Sequence, residues 1–439
     1  MTILILLTCT LLLILLVAWG NIHPFLAFLL VAIFAGLLLG MPATRLINAV
    51  QKGIGDTIGT LMTIVVLGAM LGKLIAETGA AQRIALTLGK AFGVKYIQWA
   101  LLITGFVVGS TLFYGIGFVL LVPLIFSVVF EYKLPAVYIG LPALAALSVM
   151  HGFLPPHPSP TALLVQLNAN MGLTLFYGII VAIPAILVAG PLYASTLKNI
   201  KKVPLDIFRP KLLNPDQLPG TFNSFFSALL PVLLLMAGTV FSMMEINNST
   251  LQKIISYLSN PTIAMFIALA AGTYMLGIKM KKSIIEIMKI YESAVKDISM
   301  VLLIIGGAGA MKQVFIEGGL DKVIAVYLQA LHMPPLVLGW LIAALIRVML
   351  GSSTIAALMT VGFISPVMIQ THADPNLMVL SIGAGSMIFS HVNDSGFWLF
   401  KEYFNLTLKE TFRSFSIMET LVAVMGLIGV LLLNLVIHG

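Results

Sequence analysis

Arg347 is the residue of this 439-residue chain whose setting most clearly calls for a chemical explanation. It lies in an apolar run, residues 341–350, four residues before the sequence Gly-Ser-Ser-Thr at 351–354. A charge in such a run is costly, and a planar guanidinium matches a carboxylate with two parallel hydrogen bonds. Arg347 therefore predicts a binding site for an anion. The alternatives are an internal ion pair, for which Asp394 is the candidate partner, and a side chain that reaches a polar boundary.

Residues 109–117 and 351–354 interrupt two apolar stretches with Gly-Ser-Thr and Gly-Ser-Ser-Thr. Glycine allows a tight reversal, and hydroxyls and freed N–H groups at a helix start can bind an anion or a polyol. Small residues also let two helices pack closely, but the motif occurs twice at matching positions, which favours a site. The tip residues predicted to bind a ligand are Gly109, Ser110, Thr111, Gly351, Ser352, Ser353 and Thr354.

Two further interruptions, 151–160 and 390–396, are rich in residues that break helices. The first has four prolines within six residues, and the second has Asn and Asp, which favour turns. The prolines alone indicate only an extended link. Polar side chains within an apolar stretch, however, need hydrogen-bond partners. The ligand contacts predicted from these breaks are His157, Ser159, Thr161, Ser390, Asn393 and Ser395. Proton exchange is predicted at Asp394, His391 or His151, and the sequence does not choose among them.

The composition excludes a water-soluble fold. Hydrophobic residues make up 60% of the chain and charged residues 9%, with a mean hydropathy of +1.08, whereas soluble domains are about 25% charged. We therefore predict many membrane crossings, with residues 2–19 as a first transmembrane helix and not a cleaved signal. The lipid bilayer is then a partner, and the net charge of +8 reflects orientation in the membrane and not nucleic-acid binding.

Several kinds of chemistry are excluded by missing motifs. The single cysteine, Cys9, rules out disulfides and cysteine-based metal sites. Neither GxxxxGK[ST] nor HExxH occurs, which rules out an ATP-driven motor and a zinc protease of that type. No cofactor and no metal is predicted. Transport driven by an ion gradient is the first hypothesis.

Short motifs recur in the same order at shifts of 240–243 residues, which indicates that the chain consists of two internal repeats. Examples are Gly-Ala-Met at 68–70 and 309–311, Trp99 with Trp340, and His151 with His391. The predicted division is 1–56 for N-terminal transmembrane helices, 57–195 for repeat 1 (hairpin 98–130, broken helix 135–173), 196–224 for a cytoplasmic linker, 225–297 for connecting transmembrane helices and a cytoplasmic loop, and 298–439 for repeat 2 (hairpin 336–371, broken helix 378–404).

The distribution of Lys and Arg indicates how the halves are oriented. If 98–130 and 336–371 are re-entrant hairpins, one face of the membrane carries 17 of the 24 basic residues, in segments 79–97, 131–134, 196–222, 279–297 and 401–413. The opposite face, 43–56, 246–259 and 319–334, carries 4. This bias marks the first face as cytoplasmic and puts the matching segments 79–97 and 319–334 on opposite sides.

The predicted fold class is an all-α polytopic membrane protein with two inverted-topology repeats, each with a re-entrant hairpin and a broken transmembrane helix. Many secondary transporters build a site near the midplane in this way.

Two long segments resemble the signatures of the gluconate permease family: HGFLPPHPSPT at 151–161 and FSHVNDSGFWLFKEYF at 389–404. Gln98-Trp99, GAMLGK at 68–73 and LIIGG at 303–307 are also similar. The resemblance spans nearly the whole chain. It implies a gluconate:proton symporter of the ion transporter superfamily, whose relatives move idonate, fructuronate, glycerate or D-serine.

The resemblance also bears on individual residues. It supports the set Arg347, Gly351, Ser352, Thr354, His151, Pro155, Pro156, His157, Thr161, Ser390, His391, Asn393 and Asp394. The chain departs from the family pattern after Phe113-Tyr114, where the family usually has an acidic residue and this chain has Gly115. Proton coupling would then depend on Asp394 or a histidine, or the coupling ion or substrate would differ.

The function predicted from the sequence is import of gluconate, or a closely related sugar acid, by proton symport across the cytoplasmic (inner) membrane of a bacterium. The alternatives are a symporter of another small organic anion or of D-serine, with sodium as the coupling ion, and an intramembrane enzyme. A dicarboxylate would need a second deep cation besides Arg347. An enzyme would not need matching hairpins in both halves, so we predict that the chain is not an enzyme. The sequence leaves the oligomeric state open, and a homo-oligomer is compatible with it.

Overall fold

The protein is described from a computed structural model, which covers residues 5, 8–9, 11–13, 15–20, 22–112, 114–200, 202, 213–243, 249–258, 260–319, 333–391 and 394–438. Several predicted features lie outside these residues: Asn393, residues 201 and 203–212 of the linker 196–224, and most of the segment 319–334.

The described part of the chain is helical and contains no β-strand. Short 3-10 and π segments extend or join the main helices, as at Val188–Leu192 and Phe412–Ser416. The main helices are α1 Pro24–Leu38, α2 Ala43–Glu77, α3 Ala80–Phe92, α4 Ile97–Gly109, α5 Tyr114–Tyr132, α6 Ala136–Phe153, α7 Pro158–Leu167, α8 Met171–Leu187, α9 Thr221–Met243, α10 Ser249–Leu258, α11 Pro261–Gly272, α12 Ile284–Glu317, α13 Pro335–Leu350, α14 Ser353–Thr371, α15 Pro375–Gly385, α16 Ser395–Tyr403 and α17 Ile417–His438.

Five described helical stretches are long and apolar enough to cross a membrane: Ala136–Leu167, Met171–Ser195, Pro261–Met280, Ile284–Glu317 and Leu408–His438. A sixth results if Ala43–Gly59 and Met62–Glu77, which meet at 43°, form one span. The predicted all-α, multi-pass membrane protein is confirmed. The inverted orientation of the two repeats stays a prediction.

Residues 43–56 differ from the sequence-based interpretation. The sequence predicts a connection between two helices on one face of the membrane, whereas the structure has these residues as the first part of α2. Arg45 lies 3.5 Å from Glu317 at the end of α12, and the two helices pack along much of their length. Hydropathy does not predict a helix here, because the stability of this amphipathic segment comes from its packing on α12 and not from its own hydrophobicity.

Glycines allow α2 and α12 to approach closely. A Cβ added at Gly53 would lie 2.4 Å from the Gly309 carbonyl oxygen, and one added at Gly309 would lie 2.5 Å from the Gly53 carbonyl oxygen. Such contacts are typical of membrane helices, where close packing replaces the hydrophobic effect as the force between helices.

Two pairs of helices meet at the Gly-Ser-Thr and Gly-Ser-Ser-Thr motifs. Helix α4 ends at Gly109 and α5 begins at Tyr114, while α13 ends at Leu350 and α14 begins at Ser353. Helix α4 has 13 residues and α13 has 16. At about 1.5 Å per residue both are shorter than a hydrocarbon core of about 30 Å, as re-entrant hairpins require.

The other two interruptions separate α6 from α7 and α15 from α16. His157 precedes α7, whose first residue is a proline, Pro158. Asp394 precedes α16 and accepts a hydrogen bond from the backbone N–H of Gly396 at 2.9 Å. Proline suits the first turn of a helix and an aspartate suits its N-cap, so each break ends where the sequence starts a new helix.

Candidate functional site

A cavity of about 510 Å³ lies where the second hairpin tip meets the second break, and cavities of about 300–1,000 Å³ are typical of small-molecule sites. Residues from seven main helices and from the segments that join them form its wall. They are Tyr114, Gly115, His151, Asp297, Ile298, Val301, Arg347, Gly351, Ser352, Ser353, Thr354, Met387, Asp394, Gly396, Leu399, Phe415 and Glu419.

Arg347 lies in the last turn of α13 and is 3% exposed. Its Nη2 donates to Asp394 Oδ2 at 2.5 Å, and its Nη1 donates to the carbonyl oxygen of Gly351. Its Nε has no hydrogen-bond partner. The internal ion pair that the sequence left open as an alternative is therefore present, and the guanidinium has one nitrogen still unused.

Three donors surround the carboxylate of Asp394. Oδ2 accepts from Arg347 and from the hydroxyl of Ser390, and Oδ1 accepts from Gly396 N–H. Ser390 is held in turn by Ser416, whose hydroxyl donates to its carbonyl oxygen. Charge-assisted hydrogen bonds and a helix N-terminus both stabilise a carboxylate, so this constellation binds one negative charge well.

The second hairpin tip forms the wall beside this ion pair. Gly351 has φ +75°, a conformation that residues with a side chain adopt rarely, and it turns the chain sharply between α13 and α14. Ser352 caps α14 by accepting from the N–H of Ile355 at 3.4 Å. Ser353 and Thr354 follow in the first turn and line the cavity with it. The tip thus puts three hydroxyl side chains and a helix N-terminus next to Arg347.

The first hairpin tip does not reach this cavity. Ser110 and Thr111 line a separate space of about 20 Å³, together with His157 and Gly68. The Ser110 hydroxyl donates to the Val107 carbonyl oxygen at 2.7 Å, and His157 Nε2 donates to the carbonyl oxygen of Gly109. These contacts join the first tip to the first break.

Of the remaining predicted residues that the structure describes, only His151 lines either cavity. His151 lines the large cavity, and its Nδ1 has no hydrogen-bond partner. His391 Nε2 donates to the Val348 carbonyl oxygen at 2.7 Å and does not line the cavity. Ser159 and Thr161 are buried in α7 with unpartnered hydroxyls. Ser395 is the first residue of α16.

Three lining residues with polar side chains were not predicted from the sequence: Tyr114, Asp297 and Glu419. Glu419 is 2% exposed, and a lone acid in an apolar helix is the same signal that singled out Arg347. Asp297 forms a 2.8 Å ion pair with Lys73 at the cavity edge. No sequence pattern predicts that α2 and α12 are in contact at Lys73 and Asp297.

No group of three or more His, Cys, Asp or Glu side chains that could hold a metal ion is found among the described residues. The side chains that line the large cavity can form hydrogen bonds, pair charges and exchange protons. A guanidinium that is paired with a carboxylate can bind the carboxylate of a ligand in its place.

Comparison with known proteins places this arrangement in a family. The model of the GntP family permeases matches residues 1–436. The Gnt-II system L-idonate transporter of Escherichia coli (strain K12) is 47% identical over 98% of this chain and 98% of its own. A high-affinity gluconate transporter of the same organism is 45% identical over 97% and 98%, and the gluconate permease of Bacillus subtilis (strain 168) is 43% identical over 95% and 96%.

Solved structures share the fold at much lower identity. The YdaH transporter of Alcanivorax borkumensis has a TM-score of 0.67 at 18% identity and covers 94% of this chain and 97% of that chain. MtrF of Neisseria gonorrhoeae has a TM-score of 0.63 at 14% identity, with 94% coverage of both. The relatives are permeases and transporters, not enzymes, which confirms that prediction. The resemblance stated from the signature segments is confirmed as well: this chain belongs to the GntP family of permeases.

Proposed function

We propose that this multi-pass permease imports gluconate or a closely related sugar acid by proton symport across the bacterial cytoplasmic membrane. The L-idonate transporter and the two gluconate transporters described above support this substrate class. They are 43–47% identical to this chain over nearly its full length. Both substrates are polyhydroxylated monocarboxylates. The site should accordingly have one strong carboxylate partner and several hydroxyl partners.

The buried ion pair between Arg347 and Asp394 is the observation that carries the proposal. The carboxylate of the sugar acid replaces Asp394 on the guanidinium, and Nε supplies a further donor that is unused in this structure. A guanidinium holds a carboxylate in a bidentate geometry, which a lysine cannot do. Ser352, Ser353 and Thr354 then bind the hydroxyl groups nearest the carboxylate.

Charge balance links substrate binding to a proton. In this structure the positive charge of Arg347 and the negative charge of Asp394 compensate each other. A sugar acid adds a second negative charge to a buried site, and an uncompensated buried charge is strongly unfavourable. Protonation of the displaced Asp394 restores neutrality, so one anion recruits one proton.

Arg347 is the only Lys or Arg among the described residues that line the cavity. This supports a monocarboxylate over a dicarboxylate. We further propose that the two hairpins and the two broken helices move as a unit against the remaining helices, as transporters built from inverted repeats do.

Uptake of labelled gluconate into proteoliposomes tests the proposal. An inward proton gradient should drive accumulation, a protonophore should abolish it, and exchange of sodium for potassium should leave it unchanged. Unlabelled gluconate, idonate, fructuronate, glycerate and D-serine should then compete in an order that identifies the substrate. Sodium-dependent uptake, or competition by D-serine alone, would contradict the proposal and favour the alternative coupling ion or substrate.

A further inference from the structure

Asp297 on α12 is an acid in the wall of the large cavity to which the binding step above assigns no role. Its Oδ2 accepts a hydrogen bond from Lys73 Nζ on α2 at 2.8 Å. Lys73 Nζ also lies 3.9 Å from Glu77 Oε1. Asp297 Oδ1 has no hydrogen-bond partner among the described residues. The contact with Lys73 therefore holds the carboxylate in place and leaves one of its oxygens available to a ligand.

The cation and this acid occupy different parts of the cavity. The side chain of Arg347 is 4% exposed, whereas that of Asp297 is 40% exposed. Arg347 therefore lies in the enclosed part of the cavity, where its Nε has no hydrogen-bond partner, and Asp297 lies at the open edge. A ligand whose carboxylate binds Arg347 extends towards this edge, along a wall that includes Ile298 and Val301 of α12.

The charges at the open edge do not cancel. Asp297 and Glu77 carry two negative charges and Lys73 carries one positive charge, so the group has a net charge of −1. Arg347 does not offset this charge, because it is paired with a carboxylate, that of Asp394 here and that of the ligand in the proposed bound state. A carboxylate accepts hydrogen bonds from hydroxyl groups and repels a second carboxylate. The open edge therefore favours the hydroxyl end of a ligand.

We infer that Asp297 is a specificity-determining residue of this permease, which accepts hydrogen bonds from the distal hydroxyl groups of a sugar acid and excludes acids with a carboxylate at each end. The inference rests on the proposed binding of a sugar acid to Arg347 and adds how the far end of that substrate is recognised. Lys73 is a positioning residue, because it holds Asp297 at the cavity edge. Selectivity of this kind depends on a repulsive group as well as on an attractive one.

The wild-type protein alone gives the first test. D-glucarate is the probe, because it differs from gluconate only in having a carboxylate in place of the terminal CH2OH group. Displacement of labelled gluconate from the detergent-solubilised protein measures binding without a proton gradient or a membrane potential. Gluconate should bind at least about tenfold more tightly than D-glucarate. Equal displacement by the two acids would overturn the inference, although the proposed symport would stand.

The second test uses Asp297→Asn, which keeps the size of the side chain and an acceptor oxygen but removes the charge. D-glucarate should bind about tenfold more tightly to this variant than to the wild type, because the net charge at the edge is no longer negative. Gluconate should bind about threefold more weakly, because a neutral acceptor forms weaker hydrogen bonds than a charged one. A change of the same size and direction for both acids would indicate a merely structural role and overturn the inference.

Glu292→Gln is the matched control. It removes the same charge from the same helix, but the Glu292 side chain is exposed, pairs with Lys296 and does not line the cavity. Both acids should bind to this variant as they bind to the wild type. A gain in D-glucarate binding equal to that of Asp297→Asn would overturn the inference, because the overall charge of the protein would then explain the selectivity.

Lys73→Gln provides a change of opposite sign. Without the lysine the two acids leave a net charge of −2 at the edge, so the preference for gluconate over D-glucarate should increase. An unchanged preference in both Asp297→Asn and Lys73→Gln would overturn the role of Asp297. A wild type that does not bind labelled gluconate would instead overturn the proposed function itself. If the variants fail to fold, the comparison of the two acids on the wild type still decides.

Discussion

His157 donates a hydrogen bond from Nε2 to the carbonyl oxygen of Gly109 and thereby joins the first helix break to the end of α4. Arg347 and Asp394 form the corresponding link between the second hairpin tip and the second break. The first link is a hydrogen bond to the backbone beside a space of about 20 Å³, and the second is an ion pair beside a cavity of about 510 Å³. The two halves thus differ in chemistry at corresponding places, and only the second half provides a charged partner for an anion within the described residues.

Replacement of His157 by Ala should destabilise the protein, since it leaves the buried Gly109 carbonyl oxygen without this donor. The expected cost is about 1–3 kcal/mol, visible as a lower melting temperature of the detergent-solubilised protein. His438→Ala is the control, because the His438 side chain is about half exposed at the end of α17 and its contact with Asp374 is 3.4 Å long; pairs with such an exposed partner contribute about 0–1 kcal/mol. Equal melting temperatures of the two variants would argue against a structural role for His157.

Replacement of Arg347 by Gln should abolish gluconate uptake and also destabilise the protein. Loss of one partner from a buried ion pair costs about 3–5 kcal/mol, because the remaining charge is uncompensated. The double variant Arg347→Gln/Asp394→Asn should recover most of this stability but none of the uptake. Uptake near the wild-type rate in a single Arg347→Gln variant would remove this residue from the binding site.

Replacement of Asp394 by Asn should separate transport from its driving force. The amide resembles the protonated carboxyl, so it no longer competes as an anion for Arg347. Exchange of labelled for unlabelled gluconate should persist, while accumulation driven by a pH gradient should be lost. Accumulation at the wild-type level would show that Asp394 carries no proton.

The contact of α2 with α12 allows a matched pair of glycine variants. Gly53→Ala should prevent correct packing, because the added Cβ would lie 2.4 Å from a backbone oxygen of α12. Gly55→Ala, two residues away, meets nothing within 4 Å and should stabilise the helix by up to about 1 kcal/mol. Melting temperatures of the purified variants would show the contrast, and a tolerant Gly53 would contradict the close approach.

Arg83 offers a test of how the linker is attached. Its guanidinium donates to the carbonyl oxygens of Pro215 and Pro219 at 2.8 Å and of Leu218 at 3.3 Å. Arg83→Ala should therefore increase protease cleavage between residues 213 and 220, whereas Lys90→Ala, at an exposed position on the same helix, should not. Protection that is equal in both variants would mean that other contacts hold this segment.

The breaks in the helices could be predicted from local sequence. Four prolines within six residues break a helix, proline suits the first turn of the next helix, and Asp and Ser are strong N-caps, so the starts of α7, α14 and α16 follow from residue types alone. The helical part of 43–56 could not be predicted in this way. Its few apolar residues fall on one face, and a long partner, α12, supplies the packing that stabilises it.

The candidate site likewise contains residues that local sequence predicts and residues that only tertiary packing brings to it. The apolar setting of Arg347 predicts a functional residue and makes Asp394 its candidate ion-pair partner, because both signals are local; the structure shows the ion pair. Glu419 gave a similar signal but became part of the site only through the contact between α17 and α6, which puts its carboxyl 2.6 Å from Ser148.

Hydropathy, charge bias and helix-breaking residues therefore determined the class of protein, the positions of the breaks and the deep cation, since each depends on a short stretch of chain. Tertiary structure alone decided which tip shares a cavity with which break. That choice depends on the packing of helices that are distant in sequence, and no local pattern specifies it. It brought Arg347 to Asp394 across 47 residues and left Ser110 and Thr111 beside a different space.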